Sequence, residues 1–364
     1  MKMMRKIGVL LLAIPVISCL VILNPAFAAT AENSWVSKAQ MPTARGYLGV
    51  AVVNEKIYAI GGSGPIGINE EYDPATDNWT KKAPMPNPEQ SFAIAVYEGK
   101  IYCIGGISPD STGVNKVYDP STNSWETKAS MPTGRYGLQA NVVNGKIYCM
   151  GGVKLLGYNQ GVEQINVTEV YDPSSDTWTT KSSMPNPAGY VSAVVDNKIY
   201  IIGPGLTKIY DSDTDKWSTA SAPPANITAR GANGVAAAAA ATTGTMAPKR
   251  IYVYDGSSLQ VYCPQNDSWT FGSAPPTSRQ YLGIAVVNDM LYFIGGFTYT
   301  PFPLNFYKFY ATNEQYTPIG YGTLPEPTPS QQVAPFPTII IAASGISAAI
   351  AIVGIAIYLK KRKR

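Results

Sequence analysis

The fold is decided by a stretch in the middle of the chain, Gly145-Lys146-Ile147-Tyr148-Cys149-Met150-Gly151-Gly152. Val170-Tyr171-Asp172-Pro173 comes next, and then Trp178 and the pair Met184-Pro185. Variants of this unit occur six times, with tryptophans at positions 35, 79, 125, 178, 217 and 269. The tryptophans lie 39 to 53 residues apart, and each is followed by Met-Pro or Pro-Pro. A repeat of this period indicates a chain built from stacked supersecondary units.

Each unit predicts four short β-strands. An apolar run such as Leu48–Val53 comes first, and a two-residue turn such as Asn144-Gly145 leads into a second run. The second run ends in Gly-Gly in four units, and a third run ends in Tyr-Asp-Pro, where proline stops strand pairing. The fourth run begins at the tryptophan. Six four-stranded units predict an all-β, six-bladed β-propeller, because stacking the blades buries both faces of each sheet.

The order of Gly-Gly, Tyr-Asp-Pro and Trp resembles kelch repeats over residues 35 to about 321. This resemblance implies a six-bladed kelch β-propeller, which we place at residues 29–321. The fourth unit departs from the pattern with Gly203-Pro204, and the fifth with Tyr262-Cys263-Pro264. The first run of the fifth unit, Val235–Ala241, is mostly alanine, which favours helix. The repeat register nevertheless predicts an inner strand there.

Two segments compete to close the ring. Trp35 marks a fourth strand without the three that should precede it, so residues 35–39 could complete the last blade. Residues 315–321 also fit a fourth strand, with Tyr316 in place of tryptophan. We favour the N-terminal strand.

Both ends of the chain predict targeting to a membrane. Residues 1–28 have a basic start, an apolar run and the cleavage site Ala26-Phe27-Ala28, as a secretory signal peptide does. Val16-Ile17-Ser18-Cys19 offers an alternative, a bacterial lipobox with Cys19 as the lipidated residue.

The C-terminal part predicts an anchor. Residues 322–337 are proline-rich and polar, which is typical of an extended stalk. Residues 338–359 are uncharged and mostly apolar, long enough to cross a bilayer as a helix. The basic residues 360–364 then predict a cytoplasmic tail and a propeller outside the cell membrane. The same three-part tail resembles sortase and archaeosortase sorting signals, although Leu324–Thr328 does not match the sortase motif.

Composition narrows the function. Of 28 basic residues, eight lie in the two end segments, so 20 basic residues face 24 acidic ones between them. The net charge of +4 therefore indicates targeting, and no nucleic-acid partner is expected. The chain has no histidine, which excludes a Ser-His-Asp triad and a histidine-liganded metal. We expect no cofactor and no metal.

Candidate ligand-binding residues lie where the units differ. In such a blade, the loops from strand two to strand three emerge on one face, and four of them are long: 63–69, 107–115, 153–168 and 297–304. Exposed aromatic residues on loops above a rigid scaffold are typical of binding surfaces. The aromatic residues of these loops are Tyr158, Phe297, Tyr299 and Phe302.

A second candidate set precedes the innermost strands. Arg45, Arg135 and Arg279 each follow the proline of their pair by three residues, and Arg230 takes a similar place. If their side chains ring the channel mouth, they would favour an anionic ligand. Arginine at this place also resembles the kelch consensus, and bracing of adjacent blades is the alternative role. Glu89 fills the equivalent position of the second unit.

We expect a cell-surface kelch propeller that binds an extracellular protein or polysaccharide through its long-loop face. The alternative is a carbohydrate-active enzyme, because kelch propellers are similar to galactose oxidase and to sialic-acid mutarotases. The copper oxidase is disfavoured by the absence of histidine. A mutarotase-like site would use Arg45, Arg135 and Arg279 with Glu89 as acid/base, but we consider catalysis the weaker expectation.

Overall fold

A computed structural model describes residues 31–323 except 64–66, 158–159, 186–189, 225–237 and 302. The predicted signal peptide, anchor helix and basic tail, and nearly all of the stalk, lie outside the described residues. By its internal contacts, the chain divides into two units, Met1–Leu324 and Pro325–Arg364. Within the described part of the chain, no helix has the length and apolar character needed to span a membrane.

Six antiparallel sheets of four strands form the described fold, as the repeats predict. Strand β1 (Ser34–Ser37) comes first in the chain and belongs to the last blade. Blade 1 comprises β2 (Gly49–Val53), β3 (Lys56–Ile60), β4 (Asn69–Asp73) and β5 (Asn78–Lys81), and blade 2 comprises β6 (Ala93–Tyr97), β7 (Lys100–Ile107), β8 (Ser111–Asp119) and β9 (Ser124–Lys128). Blade 3 comprises β10 (Gln139–Val143), β11 (Lys146–Met150), β14 (Thr168–Asp172) and β15 (Thr177–Lys181). It also carries an added hairpin of β12 (Val153–Leu155) and β13 (Val162–Gln164).

The second half of the ring has the same architecture. Blade 4 comprises β16 (Val191–Val195), β17 (Lys198–Gly203), β18 (Leu206–Asp211) and β19 (Lys216–Ala220), and blade 5 comprises β20 (Ala238–Ala241), β21 (Ile251–Tyr254), β22 (Leu259–Cys263) and β23 (Ser268–Gly272). Blade 6 comprises β24 (Gly283–Val287), β25 (Met290–Ile294), β28 (Asn313–Thr317) and β1. It also carries an added hairpin of β26 (Phe297–Thr300) and β27 (Phe306–Phe309). The inner strand predicted in the alanine-rich run is confirmed for β20, whereas 235–237 lie outside the described residues.

The N-terminal strand closes the ring, as favoured from the sequence. Trp35 of β1 pairs with Tyr316 of β28, so Tyr316 lies on the third strand of blade 6. The interpretation of Tyr316 as a substitute for tryptophan on a fourth strand is therefore wrong. It corresponds to the tyrosine of Tyr-Asp-Pro, because the unit-six insertion extends through β27.

A hydrophobic core lies between each pair of neighbouring blades. Its members come from the alternating positions of two facing sheets, as the strand period of two requires. In the core between blades 6 and 1, for example, Ile57 and Tyr72 meet Ala285 and Ile294. Burial of both faces of every sheet is what stabilises four-stranded blades that would be marginal alone.

A repeated hydrogen-bond clasp fastens each blade to the one before it. In blade 3, Asp176 accepts hydrogen bonds from the Tyr171 hydroxyl at 2.6 Å and from the backbone N–H of Ala129 at 2.8 Å. The indole of Trp178 donates to the carbonyl of Ala129 at 2.8 Å. The acceptors at this position are Asn33, Asp77, Asn123, Asp176, Asp215 and Asp267. The recurring tyrosine and tryptophan are therefore architectural.

The two faces of the ring differ. On the short-turn face, most connections from strand one to strand two are two residues long, but in blade 5 this connection spans 242–250. On the long-loop face, the connections of blades 3 and 6 contain the added hairpins, where the sequence predicts only loops. Blades 4 and 5 have tight connections on that face, at 204–205 and 255–258.

Candidate functional site

Arg45 is buried in a network of carbonyl and carboxylate acceptors. Its guanidinium donates to Glu70 at 2.6 Å, to the carbonyls of Thr43 and Gly61 at 2.9 Å, and to that of Ala59 at 2.7 Å. Four of its five N–H donors therefore have partners, and the residue is 1% exposed. The network ties the loop before the inner strand to the second and third strands of the same blade.

The same network recurs in two other blades. The pairs are Arg45–Glu70, Arg135–Glu169 and Arg279–Glu314. In each, the guanidinium Nε also donates to the carbonyl of the first glycine of Gly-Gly. The second glycine leaves room for the loop that carries the arginine. A Cβ on Gly152 would lie 2.8 Å from the Tyr136 carbonyl oxygen, and the φ of Gly152 is 98°. Arginine and Gly-Gly thus form one structural unit.

Blade 2 carries this ion pair with reversed charges. Glu89 takes the place of the arginine and meets Lys116 at 3.1 Å, on the strand position that holds glutamate in blades 1, 3 and 6. Both residues are buried, and the Thr112 hydroxyl donates to Glu89 at 3.1 Å. Burial raises the pKa of Glu89, while Lys116 and Thr112 oppose that rise. The pair performs the same bracing role with the acid and base exchanged.

The loop tips between blades form the channel mouth. The Tyr47 N–H donates to the Tyr281 carbonyl at 3.1 Å, Ser91 to Tyr47 at 3.3 Å, and Gly137 to Ser91 at 2.8 Å. Inside this chain of hydrogen bonds lies a cavity of about 260 Å³, lined by the first residues of the inner strands. Most of these residues are apolar, with Gln139 among the polar exceptions.

Two of the tips are tyrosines in the left-handed region. Tyr47 has a φ of 56° and Tyr281 a φ of 53°. This conformation is unfavourable for bulky side chains, and such strain concentrates at functional sites. The two rings lie 4.3 Å apart between centroids. Their placement therefore marks the side of the channel mouth between blades 6 and 1.

An aromatic plate continues from these tyrosines onto the added hairpin of blade 6. Phe297 packs against both rings at 5.1 Å and is parallel to Tyr281 within 5°. Register places Phe297 beside Phe309 and Tyr299 beside Tyr307, so the four rings share one face of the hairpin. Tyr299 and Tyr307 lie 4.8 Å apart and are 47% and 51% exposed. The plate runs from a buried end at the mouth to an exposed end.

The side chains of Tyr47, Tyr281 and Tyr307 surround Phe297 where the plate meets the channel mouth. Tyr47 and Tyr281 are hydrogen-bonded through their side chains. Burial is the main cause that raises the pKa of both residues, and the nearby Tyr307 adds to it. Tyr47 and Tyr281 therefore stay protonated, and a phenol such as theirs or that of Tyr307 can both donate and accept hydrogen bonds.

The structure brings together some of the residues predicted from sequence and separates others. Phe297 and Tyr299 both lie on the aromatic plate. Phe297 is only 2% exposed and forms the buried end of the plate. Arg45, Arg135, Arg279 and Glu89 lie in buried ion pairs, which favours the bracing role. Arg230, Tyr158 and Phe302 lie outside the described residues.

Sequence reasoning missed the residues that complete the site. Tyr47, Tyr281 and Tyr307 belong to the plate, and Lys116 is the partner of Glu89. A signal for Lys116 was present, since aligned units have glutamate where blade 2 has lysine. Throughout the described ranges, no cluster of histidine, cysteine, aspartate or glutamate side chains could hold a metal ion.

Comparison with known proteins agrees with this fold. The family model described as Kelch motif matches residues 44–86, 90–132 and 134–185, which are blades 1 to 3. Together with the six-bladed ring, this match defines the chain as a kelch-repeat β-propeller protein. A solved structure titled "Structure of YjhT" is similar, with 20% sequence identity and a TM-score of 0.58. The similarity covers 75% of this chain and 95% of that one, and shows the fold. No curated protein matches the chain.

Proposed function

We propose that this protein is a cell-surface binding module whose ligand docks on the long-loop face, against the aromatic plate of blade 6. The observation that carries the proposal is the half-exposed pair Tyr299 and Tyr307, whose ring centroids lie 4.8 Å apart on a hairpin beside the channel mouth. Exposed aromatic side chains on a rigid scaffold lose little conformational entropy on binding. The proposal assumes the export and anchoring that the two terminal segments predict.

The position of the chain ends supports this orientation. Strand β1 begins and strand β28 ends on the short-turn face. There Gly322 donates to the carbonyl of Met246 at 2.7 Å, and Gly320 donates to the Glu32 carboxylate at 2.5 Å. The C-terminal end of the described chain is thus fixed opposite the long loops. A tether that continues from this point would leave the long-loop face available to ligands.

The enzyme alternative receives less support from the geometry. A mutarotase-like site would need Arg45, Arg135 and Arg279 to reach a substrate, but each is at most 1% exposed and bound to a glutamate. Glu89, the proposed acid/base, is 7% exposed and paired with Lys116. Anomer interconversion of an anionic sugar that is lost in Glu89→Gln, while Lys116→Met folds but remains active, would restore this alternative.

Labelling each face in turn tests the binding proposal. Leu304 is 72% exposed on the long-loop face, and Thr122 is exposed on a turn of the opposite face. Leu304→Cys and Thr122→Cys would each be made in full-length protein carrying Cys263→Ser, because Cys263 is partly exposed. A polyethylene glycol maleimide is then attached, and binding to intact cells and to extracted surface polysaccharide is measured.

We expect the label at Leu304→Cys to reduce binding at least tenfold and the label at Thr122→Cys to leave it within twofold. Equal effects of the two labels, or an effect of the Thr122→Cys label alone, would overturn the proposed face. Circular dichroism and thermal unfolding of both labelled proteins establish that the propeller is intact.

A further inference from the structure

We propose that the ligand of the aromatic plate is an uncharged saccharide. One pyranose ring would stack on Tyr299 and Tyr307, with its hydroxyls at the phenolic groups of Tyr47, Tyr281 and Tyr307. This inference rests on the binding function proposed above and names the chemical class that the site selects.

Charge is the first argument. Among the described residues of the hairpin, Lys308 is the charged side chain, and it lies on the opposite face, 5.1 Å from the Tyr310 ring centroid. Arg45 and Arg279, next to the two tyrosine tips, are neutralised by Glu70 and Glu314. A carboxylate or sulfate at the plate would lose its hydration without gaining an accessible counter-charge. The plate therefore favours a ligand without formal charge.

Shape is the second argument. The exposed end of the plate consists of two tyrosine rings, each about half exposed, 36° from parallel. A stable protein interface buries roughly 800 Å² on each partner, far more than two half-exposed rings offer. One or two sugar rings match this size. The C–H groups on one face of a pyranose provide the flat apolar surface that an aromatic ring accepts.

Hydrogen bonding is the third argument. The rings of Tyr47, Tyr281 and Tyr307 all pack on Phe297, with centroids 5.1 to 5.5 Å away. Sugar hydroxyls donate and accept, and so do phenols, so these tyrosines can pair with a sugar edge in either sense. The site thus offers aromatic rings and phenols together. The strained φ values of Tyr47 and Tyr281 fix this part of the site before any ligand arrives.

A glycan array with full-length, detergent-solubilised protein tests the inference, using neutral, uronic-acid and sulfated oligosaccharides as probes. Variants Tyr299→Ala and Tyr307→Ala remove a ring, and Tyr307→Phe keeps the ring but removes the hydroxyl. Phe306→Ala is the matched control, because Phe306 lies on the opposite face of the same hairpin and is 56% exposed.

We expect binding to neutral oligosaccharides, at least a tenfold loss in Tyr299→Ala and Tyr307→Ala, and a smaller loss of about threefold in Tyr307→Phe. Phe306→Ala should bind within twofold of wild type. Because the hairpin is an addition to its blade, all four variants should unfold within a few degrees of wild type.

Other outcomes overturn the inference. Binding confined to charged glycans, or an equal loss in Phe306→Ala, contradicts an uncharged sugar on this face. So does capture of a protein that Tyr299→Ala abolishes without any glycan binding, although the proposed binding face would then stand. Cell-surface binding that neither the alanine variants nor the label at Leu304→Cys affects would contradict the binding function as well.

Discussion

Asn33, which precedes the closing strand β1, binds Ser273 at the end of blade 5, although 240 residues separate them. Its side-chain oxygen accepts the Ser273 N–H at 2.7 Å and the Tyr316 hydroxyl at 2.8 Å. The indole of Trp35 completes the contact by donating to the Ser273 carbonyl at 2.9 Å. The clasp found between consecutive blades is thereby reproduced between blades 5 and 6, where the N-terminal strand β1 supplies the fourth strand of blade 6.

Loss of the clasp that holds β1 should destabilise the ring more than loss of the same clasp elsewhere. We expect Asn33→Gly to lower the free energy of unfolding by about 1–3 kcal/mol, since two donors lose their acceptor. Asn123→Gly removes the matching acceptor between blades 1 and 2 and has a similar φ, 51° against 55°. Its effect should be smaller, because Asn123 lies in the turn that joins β8 to β9, whereas no turn joins β1 to its neighbour β28. Urea unfolding and amide exchange in β1 measure the difference, and equal exchange in both variants would contradict it.

Exchange of the ion pair in blade 2 should restore the arrangement of the other blades. Glu89→Arg and Lys116→Glu alone each place like charges together in a buried site and should cost about 3–5 kcal/mol. The double variant recreates the Arg–Glu pair of blades 1, 3 and 6 and should recover most of that loss. Chemical unfolding of the double-mutant cycle measures the coupling. Additive losses would mean that the pair is not a brace.

The clasp aspartates should make stability depend on acid pH. The Tyr171 hydroxyl and then the Ala129 N–H lower the pKa of Asp176 below its usual value of 3.8. Its contribution to stability is thus present above that value and is lost as the pH falls through the folded-state pKa. Asparagine performs the same role at Asn123, where the side-chain oxygen accepts both hydrogen bonds. In Asp176→Asn, the free energy of unfolding should therefore fall less steeply towards acid pH, the part of the pH profile called the acid limb below.

The reverse substitution is the control for this pH effect. Asn123→Asp should make stability fall more steeply as the pH drops below the usual aspartate pKa of 3.8, while leaving stability near pH 7 little changed. Thermal unfolding across this pH range measures both variants. Parallel acid limbs for wild type, Asp176→Asn and Asn123→Asp would contradict the assignment.

Asp289 should be the most sensitive acidic residue on the short-turn face. It is 1% exposed, and its carboxylate accepts backbone N–H groups of the 242–250 loop: Thr243, Thr245, Met246 and Ala247 at 2.5 to 3.0 Å. Asp289→Asn removes the charge and turns an amide NH₂ towards these donors, so we expect a loss of about 2–4 kcal/mol. Asp196→Asn disrupts only an exposed pair with Lys249 and should cost at most about 1 kcal/mol. Similar losses in urea unfolding would contradict the role of Asp289.

Repetition made the propeller predictable. Gly-Gly, Tyr-Asp-Pro and Trp each have a local physical cause, namely a turn, a strand end and a contact with the preceding blade. Their recurrence reveals blade number and strand order without knowledge of any distance. Trp35 even indicated the closing strand. The assignment of Tyr316 to the third strand of blade 6 required the structure, because β26 and β27 form an insertion that the repeat pattern does not reveal.

The functional residues were less accessible to the sequence. A buried and an exposed arginine have the same letter, and Glu70 follows Arg45 by 25 positions without a motif that links them. Tyr47, Tyr281 and Tyr307 likewise come from distant parts of the chain. Tyr47 and Tyr281 occupy a position that other blades fill with Ser91 or Gly137, and Tyr307 lies on the added hairpin. The alternation of aromatic residues in β26 and β27 is visible in the sequence, but the length of this connection predicts a loop there.

The sequence alone therefore determined the class of fold, the number of blades and the candidate loops, because periodic strands and turns depend on near neighbours. Only the tertiary structure decided which side chains form the buried ion pairs that brace the ring and which are exposed to solvent. That division depends on contacts between residues far apart in the chain, in which Glu70, Glu169 and Glu314 neutralise the arginines and the tyrosines gather at the channel mouth.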